Sequence, residues 1–182
     1  MIFKILRYAF VLFASAVLHG CTWYVYDATS RPIASNIAGR SFALREDAIL
    51  LEHFSYYPAY MLNLPGANEC IPQDVTSMTK DEARYKPRGL RYPECIWVPV
   101  GRIAKGTEFK VTTVTEQPYG GHGRCWKVEV KVITGERAGI SADIPTCRFD
   151  FPASELWLRM KSGHDYVEPL ELSDRVARPY TE

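Results

Sequence analysis

The sequence of 182 residues lacks an apolar run long enough for a permanent membrane span. Its most hydrophobic stretch, "YAFVLFASAVL" from Tyr8 to Leu18, has eleven residues. A helix crossing the hydrocarbon layer needs about 20. A basic excess is also missing. The 22 Lys and Arg against 21 Asp and Glu leave a formal charge of +1, and removal of residues 1–20 takes away Lys4 and Arg7 and no carboxylate, so the remainder carries −1. No domain-wide positive field exists to neutralise phosphates, which excludes a general nucleic-acid binder. There is no C-x-x-C pair, and His53, His122 and His164 are scattered. The short ligand spacings of a zinc site are therefore absent, and neither metal nor cofactor is expected. No fixed-period repeat marks a solenoid. What is present is a globular composition, 47% hydrophobic and 13% aromatic, well above that of a disordered chain.

The first twenty residues combine Lys4 and Arg7, the uncharged run and a close in small residues, the order of an export signal. The run ends in "LHGC", Leu18 to Cys21. An aliphatic residue three before a cysteine and a small one just before it resemble the lipobox of bacterial lipoproteins, with His19 departing from the usual small residue. The resemblance implies cleavage between Gly20 and Cys21, diacylglycerol on the Cys21 thiol and a further acyl chain on its new amino group. Two or more chains, at about 0.8 kcal/mol per buried methylene, hold a protein to a membrane where one does not. In that family an Asp after the cysteine favours inner-membrane retention. Thr22 stands there, so the expected address is the periplasmic face of the outer membrane. The alternative is an ordinary signal peptide cut elsewhere, with Cys21 unmodified.

The cysteines are Cys21, Cys70, Cys95, Cys125 and Cys147. An odd number in an exported protein asks for a reason. Lipid on Cys21 leaves four, which an oxidising periplasm would pair. Of the three possible pairings, Cys70–Cys95 with Cys125–Cys147 is expected, because the first closes a proline-rich segment on itself. Each such loop is worth about 3 kcal/mol in the chain-entropy account.

Residues 21–38 read as a lipidated tether, with an optional short strand at Trp23 to Tyr26, and the folded domain as residues 39–160. Within it, strands are expected at Ser41 to Leu44, from Ala48, and from Glu108 to Thr115. Between Tyr56 and Tyr92, Pro58, Pro65, Pro72, Pro87, Gly66 and Gly89 punctuate the chain and block long elements, so residues 56–95 read as an insertion. "CWKVEVKVI" alternates strictly: Trp126, Val128, Val130 and Val132 on one face, Lys127, Glu129 and Lys131 on the other. Period two over this length is a half-buried antiparallel strand. "TGERAG" turns it toward "ISADI" as hairpin partner. "SELWLRM" reads as a last strand, and residues 161–182 as a loosely ordered polar tail.

The order "VGRIAKGTEFKV" then "WKVEV…TGERAG" resembles bacterial SH3-like domains, through Gly101, Ile103, Lys105, Gly106, Thr107, Val111, Trp126 and Val128. The resemblance covers about two-fifths of the chain. It implies a mostly β fold, a small antiparallel SH3-like barrel, elaborated here by a disulfide-tied insertion. The closing strand departs from it: "AGISADI" lacks the family's Gly-Trp-Val, so no ligand type carries over.

The aromatic cluster "FSYYPAY" gives Tyr56, Tyr57 and Tyr60 as candidate binding residues, joined by Tyr85, Tyr92 and Tyr119. Tyrosine offers broad contact and a hydroxyl at little entropic cost; the alternative is that these rings roof the core. His122 and Cys125 in "GGHGRC" raise a nucleophile-base pair, but bridged cysteines are the ordinary outcome of export. The acidic pairs Glu46-Asp47 and Asp81-Glu82 read as solvated charge. The expectation is thus a non-enzymatic, lipid-anchored envelope binding module, whose partners are the membrane through Cys21 and an envelope protein or peptidoglycan. Its alternatives are an accessory or immunity-type lipoprotein that occludes an envelope enzyme or secretion component, and a cell-envelope hydrolase. Replacing the acylated residue, Cys21→Ser, is expected to move the protein from the membrane to the soluble fraction; unchanged retention on fractionation overturns the lipobox reading.

Overall fold

The computed structural model describes residues 24–53, 59–65, 97–118, 124–146, 157–161 and 166–180. They are mostly β. Nine strands are named among them: β1 Tyr26–Asp27, β2 Ser41–Leu44, β3 Ala48–His53, β4 Tyr60–Asn63, β5 Trp97–Ile103, β6 Glu108–Pro118, β7 Arg124–Val132, β8 Ser141–Ile144 and β9 Ala177–Pro179. A single 3-10 turn, Pro32–Ala34, separates β1 from β2. The strands form one sheet in the order β5-β3-β4-β8-β7-β6-β2-β9, with β1 also on β6. It is curled into a half-barrel.

Chain geometry demands the curl. β5 and β6 stand five strand spacings apart in that order, about 24 Å in a flat sheet. Residues 104–107 alone join them, and five Cα steps reach no more than about 18 Å. β2 and β3 are equally far apart in the order and are joined by residues 45–47, a reach of about 14 Å. Only a sheet rolled toward itself satisfies both connections.

The long strands β6 and β7 make the spine, paired from Phe109↔Val132 to Pro118↔Arg124. The alternation read in β7 is realised. Trp126, Val128, Val130 and Val132 are buried, while Lys127 and Lys131 are exposed, and Lys127 pairs with Asp143 of β8 on the outer face at 2.9 Å. β6 does not keep one phase. Its register shifts between Val111 and Thr113, and the extra residue of this bulge re-aims the strand. Phe109 and Val111 are buried before it, Val114 and Glu116 after it. Thr112 spends its hydroxyl on Glu129 O at 3.1 Å.

Five expectations need correction. Residues 24–38 are no tether. Tyr26 and Asp27 pair with Glu116 and Thr115 of β6, and Ala28, Ala34 and Ile37 are fully buried in the core. The Thr29 hydroxyl accepts the Val114 N–H at 2.9 Å, standing in for a missing strand neighbour. Asp27 accepts the Thr29 N–H at 2.8 Å. The side-chain and backbone hydrogen bonds of Thr29, helped by nearby Arg31, hold its carboxyl below the ordinary value. That contribution is present at neutral pH and is lost as the pH falls through the lowered pKa.

The C-terminal segment is likewise structural over residues 166–180. β9 pairs with β2, Leu170 and Val176 are fully buried, and Leu170 donates its N–H to Ile33 O at 2.7 Å. In place of a last strand at Ser154 to Met160, Leu158 and Met160 make isolated bridges to Leu172 and Tyr166; residues 154–156 lie outside the described residues. β4 falls inside the expected insertion and pairs with β3. It also meets β8 in parallel at Met61↔Asp143, so the sheet is not wholly antiparallel.

Ile37 distinguishes tether from core. Ile37→Ala is expected to lower the free energy of unfolding by about 2–5 kcal/mol, the range for truncating a buried isoleucine, in a urea titration. A residue in a loose tether would leave the midpoint unchanged.

Candidate functional site

Of the six candidate tyrosines, Tyr60 lies within the described residues; Tyr56, Tyr57, Tyr85, Tyr92 and Tyr119 lie outside them. Tyr60 opens β4 opposite Glu52, half-buried and packed against the core. The roofing role therefore holds for this ring at least in part. Beside it in β3, His53 meets Trp97 of β5 edge-on, with ring centroids 4.9 Å apart at 86°, and the two residues are register partners. His53 also donates its backbone N–H to Ala59 O at 3.0 Å. Trp97 was not among the candidates. Its only sequence signal was an aromatic at the head of "WVPVG".

Cys125 is buried and disulfide-bonded, so it offers no thiolate to a nucleophilic mechanism. Cys21, Cys70, Cys95, Cys147 and His122 lie outside the described residues, as does Asp81-Glu82.

Among the described residues, concave surface lies at the corner where the two short connections cross. Gly106 sits at φ +83°, a conformation glycine adopts without strain. It donates its N–H to Leu44 O at 2.8 Å, and Leu44 donates to Thr107 O at 3.0 Å. Asp47 clamps the same turn. Its carboxylate accepts the Lys105 N–H at 2.8 Å and Arg102 Nη2 at 2.5 Å. The Glu46-Asp47 pair is thus not simply solvated charge: Asp47 holds a turn, and Glu46 faces a groove.

Two grooves flank the 104–107 turn. The smaller, about 320 Å³, lies between Arg102 and the Thr134–Arg137 connection, where Arg137 Nη2 donates to Val100 O at 3.0 Å across the corner. The larger, about 570 Å³, is lined by Arg45, Lys105, Arg175 and Arg178 against Glu46 and Asp174. Arg45 is committed, donating to the Asp174 carbonyl at 2.6 Å. Among the described residues no carboxylate pairs with Lys105, Arg175 or Arg178. Glu46 Oε1 is buried and meets no donor among them. Three uncommitted cations around a cleft favour a guest bearing carboxylate or phosphate oxygens. Among the described residues no group of His, Cys, Asp and Glu is placed to hold a metal ion.

Sequence reasoning missed this corner. Its cations come from positions 45, 105, 175 and 178, segments read as a turn, a second turn and a tail. No protein-family model, curated protein or solved structure matches the chain.

Asp47→Ala is expected to destabilise the fold by about 1–2 kcal/mol, the range for charge-assisted hydrogen bonds at a partly exposed site, measured by urea unfolding. Hydrogen exchange at the Lys105 amide should accelerate at the same time. An unchanged Lys105 rate would show that Asp47 does not hold the turn.

Proposed function

We propose that this chain is a membrane-anchored lipoprotein and acts as a non-catalytic binding module at the cell envelope, with a protein or a cell-wall peptide as ligand. The observation that carries the binding role is the larger groove at the corner, where Lys105, Arg175 and Arg178 face a cleft without a carboxylate partner among the described residues. The anchor rests on the basic start, the apolar run and "LHGC" ending at Cys21. Acidic groups on the ligand are the complement such a groove selects.

The SH3-like reading is supported by where its residues fall. Gly101 and Ile103 end one strand, and Lys105-Gly106 tip the next turn. Val111, Trp126 and Val128 face the core from the two spine strands. The aromatic edge at His53, Trp97 and Tyr60 adjoins the ends of the insertion and is a second contact area for an extended ligand. We further propose Cys70–Cys95 and Cys125–Cys147 as the bridges that fix the insertion and the head of the spine.

The test uses the soluble chain from Thr22 onward, sedimented with purified cell-wall sacculi. Co-sedimentation is expected, weakened by salt because exposed cations are screened. Arg175→Glu with Arg178→Glu is expected to reduce it by on the order of tenfold, from two rim contacts of about 0.7 kcal/mol each. Binding that ignores both changes removes the groove from the account. Absence of co-sedimentation, with a protein captured instead in crosslinked membrane extracts, moves the reading to the accessory class.

A further inference from the structure

The segment just after Cys21 has chemistry that the groove does not use. Tyr24, Val25 and Tyr26 are exposed by 57%, 59% and 46%, a concentration of apolar surface unusual for a near-neutral soluble face. The Tyr24 and Tyr26 rings lie 6.0 Å apart. The Arg31 guanidinium stands 5.6 Å over the Tyr26 ring and 3.7 Å from Glu116. An aromatic pair with an arginine beside it matches the headgroup zone of a bilayer, where tyrosine rings straddle apolar and wet layers and guanidinium pairs with phosphate.

Chain length turns the match into a constraint. Three Cα steps separate Cys21 from Tyr24, a reach of about 11 Å at most. The headgroup layer is itself about 5–7 Å thick. Two residues later the chain is paired to β6 at Tyr26↔Glu116, and Ala28 donates its N–H to Val114 O at 2.8 Å. An acylated Cys21 can therefore raise the Tyr24 backbone no more than about 4–6 Å beyond the headgroup layer, which keeps the β1 edge beside the lipid.

We propose that the β1 edge is a bilayer-seating surface. Tyr24, Val25 and Tyr26 enter the headgroup zone of the membrane that holds Cys21, with Arg31 at the level of the phosphates. The proposal rests on the anchor reading above. It assigns an orientation as well: the 104–107 corner lies at the other end of β6, whose first residue, Glu108, is eight residues from Glu116 or about 25 Å, and the corner faces away from the bilayer.

The experiment uses the full mature chain in phosphatidylcholine–phosphatidylglycerol vesicles containing a lipid with a spin-labelled headgroup. A fluorophore is attached, without reduction, to Val25→Cys or to Ile133→Cys. Ile133 is exposed by 40% and sits at the corner end, its N–H on Glu108 O. Mass analysis of the N-terminal peptide reads acylation of Cys21 separately. The expected result is several-fold stronger quenching at position 25 than at position 133. Equal quenching, or stronger quenching at 133, on an acylated chain overturns the seating while the anchor stands. A peptide without acyl mass overturns the anchor, and the seating falls with it.

Discussion

The fold depends on a contradiction between sequence distance and sheet order. β2 is followed almost at once by β3, and β5 by β6, yet each pair stands five places apart in the sheet. Rolling the sheet is the one way to connect them, and everything at the corner follows from the roll. It carries Asp47 to the Lys105 amide and Arg102, and Arg137 to the Val100 carbonyl. It also gathers cations from positions 45, 105, 175 and 178 around one cleft. Their proximity is a product of topology, and a weakened turn at 104–107 would disperse them.

The second organising element is β6. One of its edges pairs with β7 throughout; the other is shared by β2 near its start and β1 near its end. Between these two short partners the chain leaves the sheet through the Pro32–Ala34 turn. The gap is filled by Thr29, whose hydroxyl meets both polar groups of Val114. Inside a sheet an unpaired N–H is costly, and a threonine supplies the partner without another strand. The bulge at Thr112 serves the same end of the molecule, since the change of phase is what turns Glu116 toward Arg31.

Legibility in the sequence followed the range of the interactions. β2 was readable at its observed bounds, and β7 from its alternation, because side chains two apart report a single buried face. The hairpin from β7 to β8 was readable from its glycine-rich connection. What escaped were elements held by distant partners. "YMLN" lies among prolines and has too few residues for a period to show, yet β3 and β8 hold it on both sides. "YDATSRPIASNIA" buries Ala28, Ala34 and Ile37 at irregular spacing, which no helical or strand period reproduces. The apparent tail buries Leu170 and Val176 against the first part of the chain. The cationic cleft was illegible for the same reason. Arginines that share a groove look no different in sequence from arginines on a solvated face.

A half-barrel, unlike a closed one, leaves strands with an outer side. Among the described residues β1 pairs only with β6, and the path itself ends in β5 and β9. Each of the last two carries a proline: Pro99 opposite Leu51 and Pro179 opposite Phe42. A proline has no N–H to offer a newcomer, and strand ends of this kind resist templating by another chain. β9 is also only three residues long, too short to guide a second sheet into register. Margins of this kind oppose the edge-to-edge pairing that seeds aggregates and fibres.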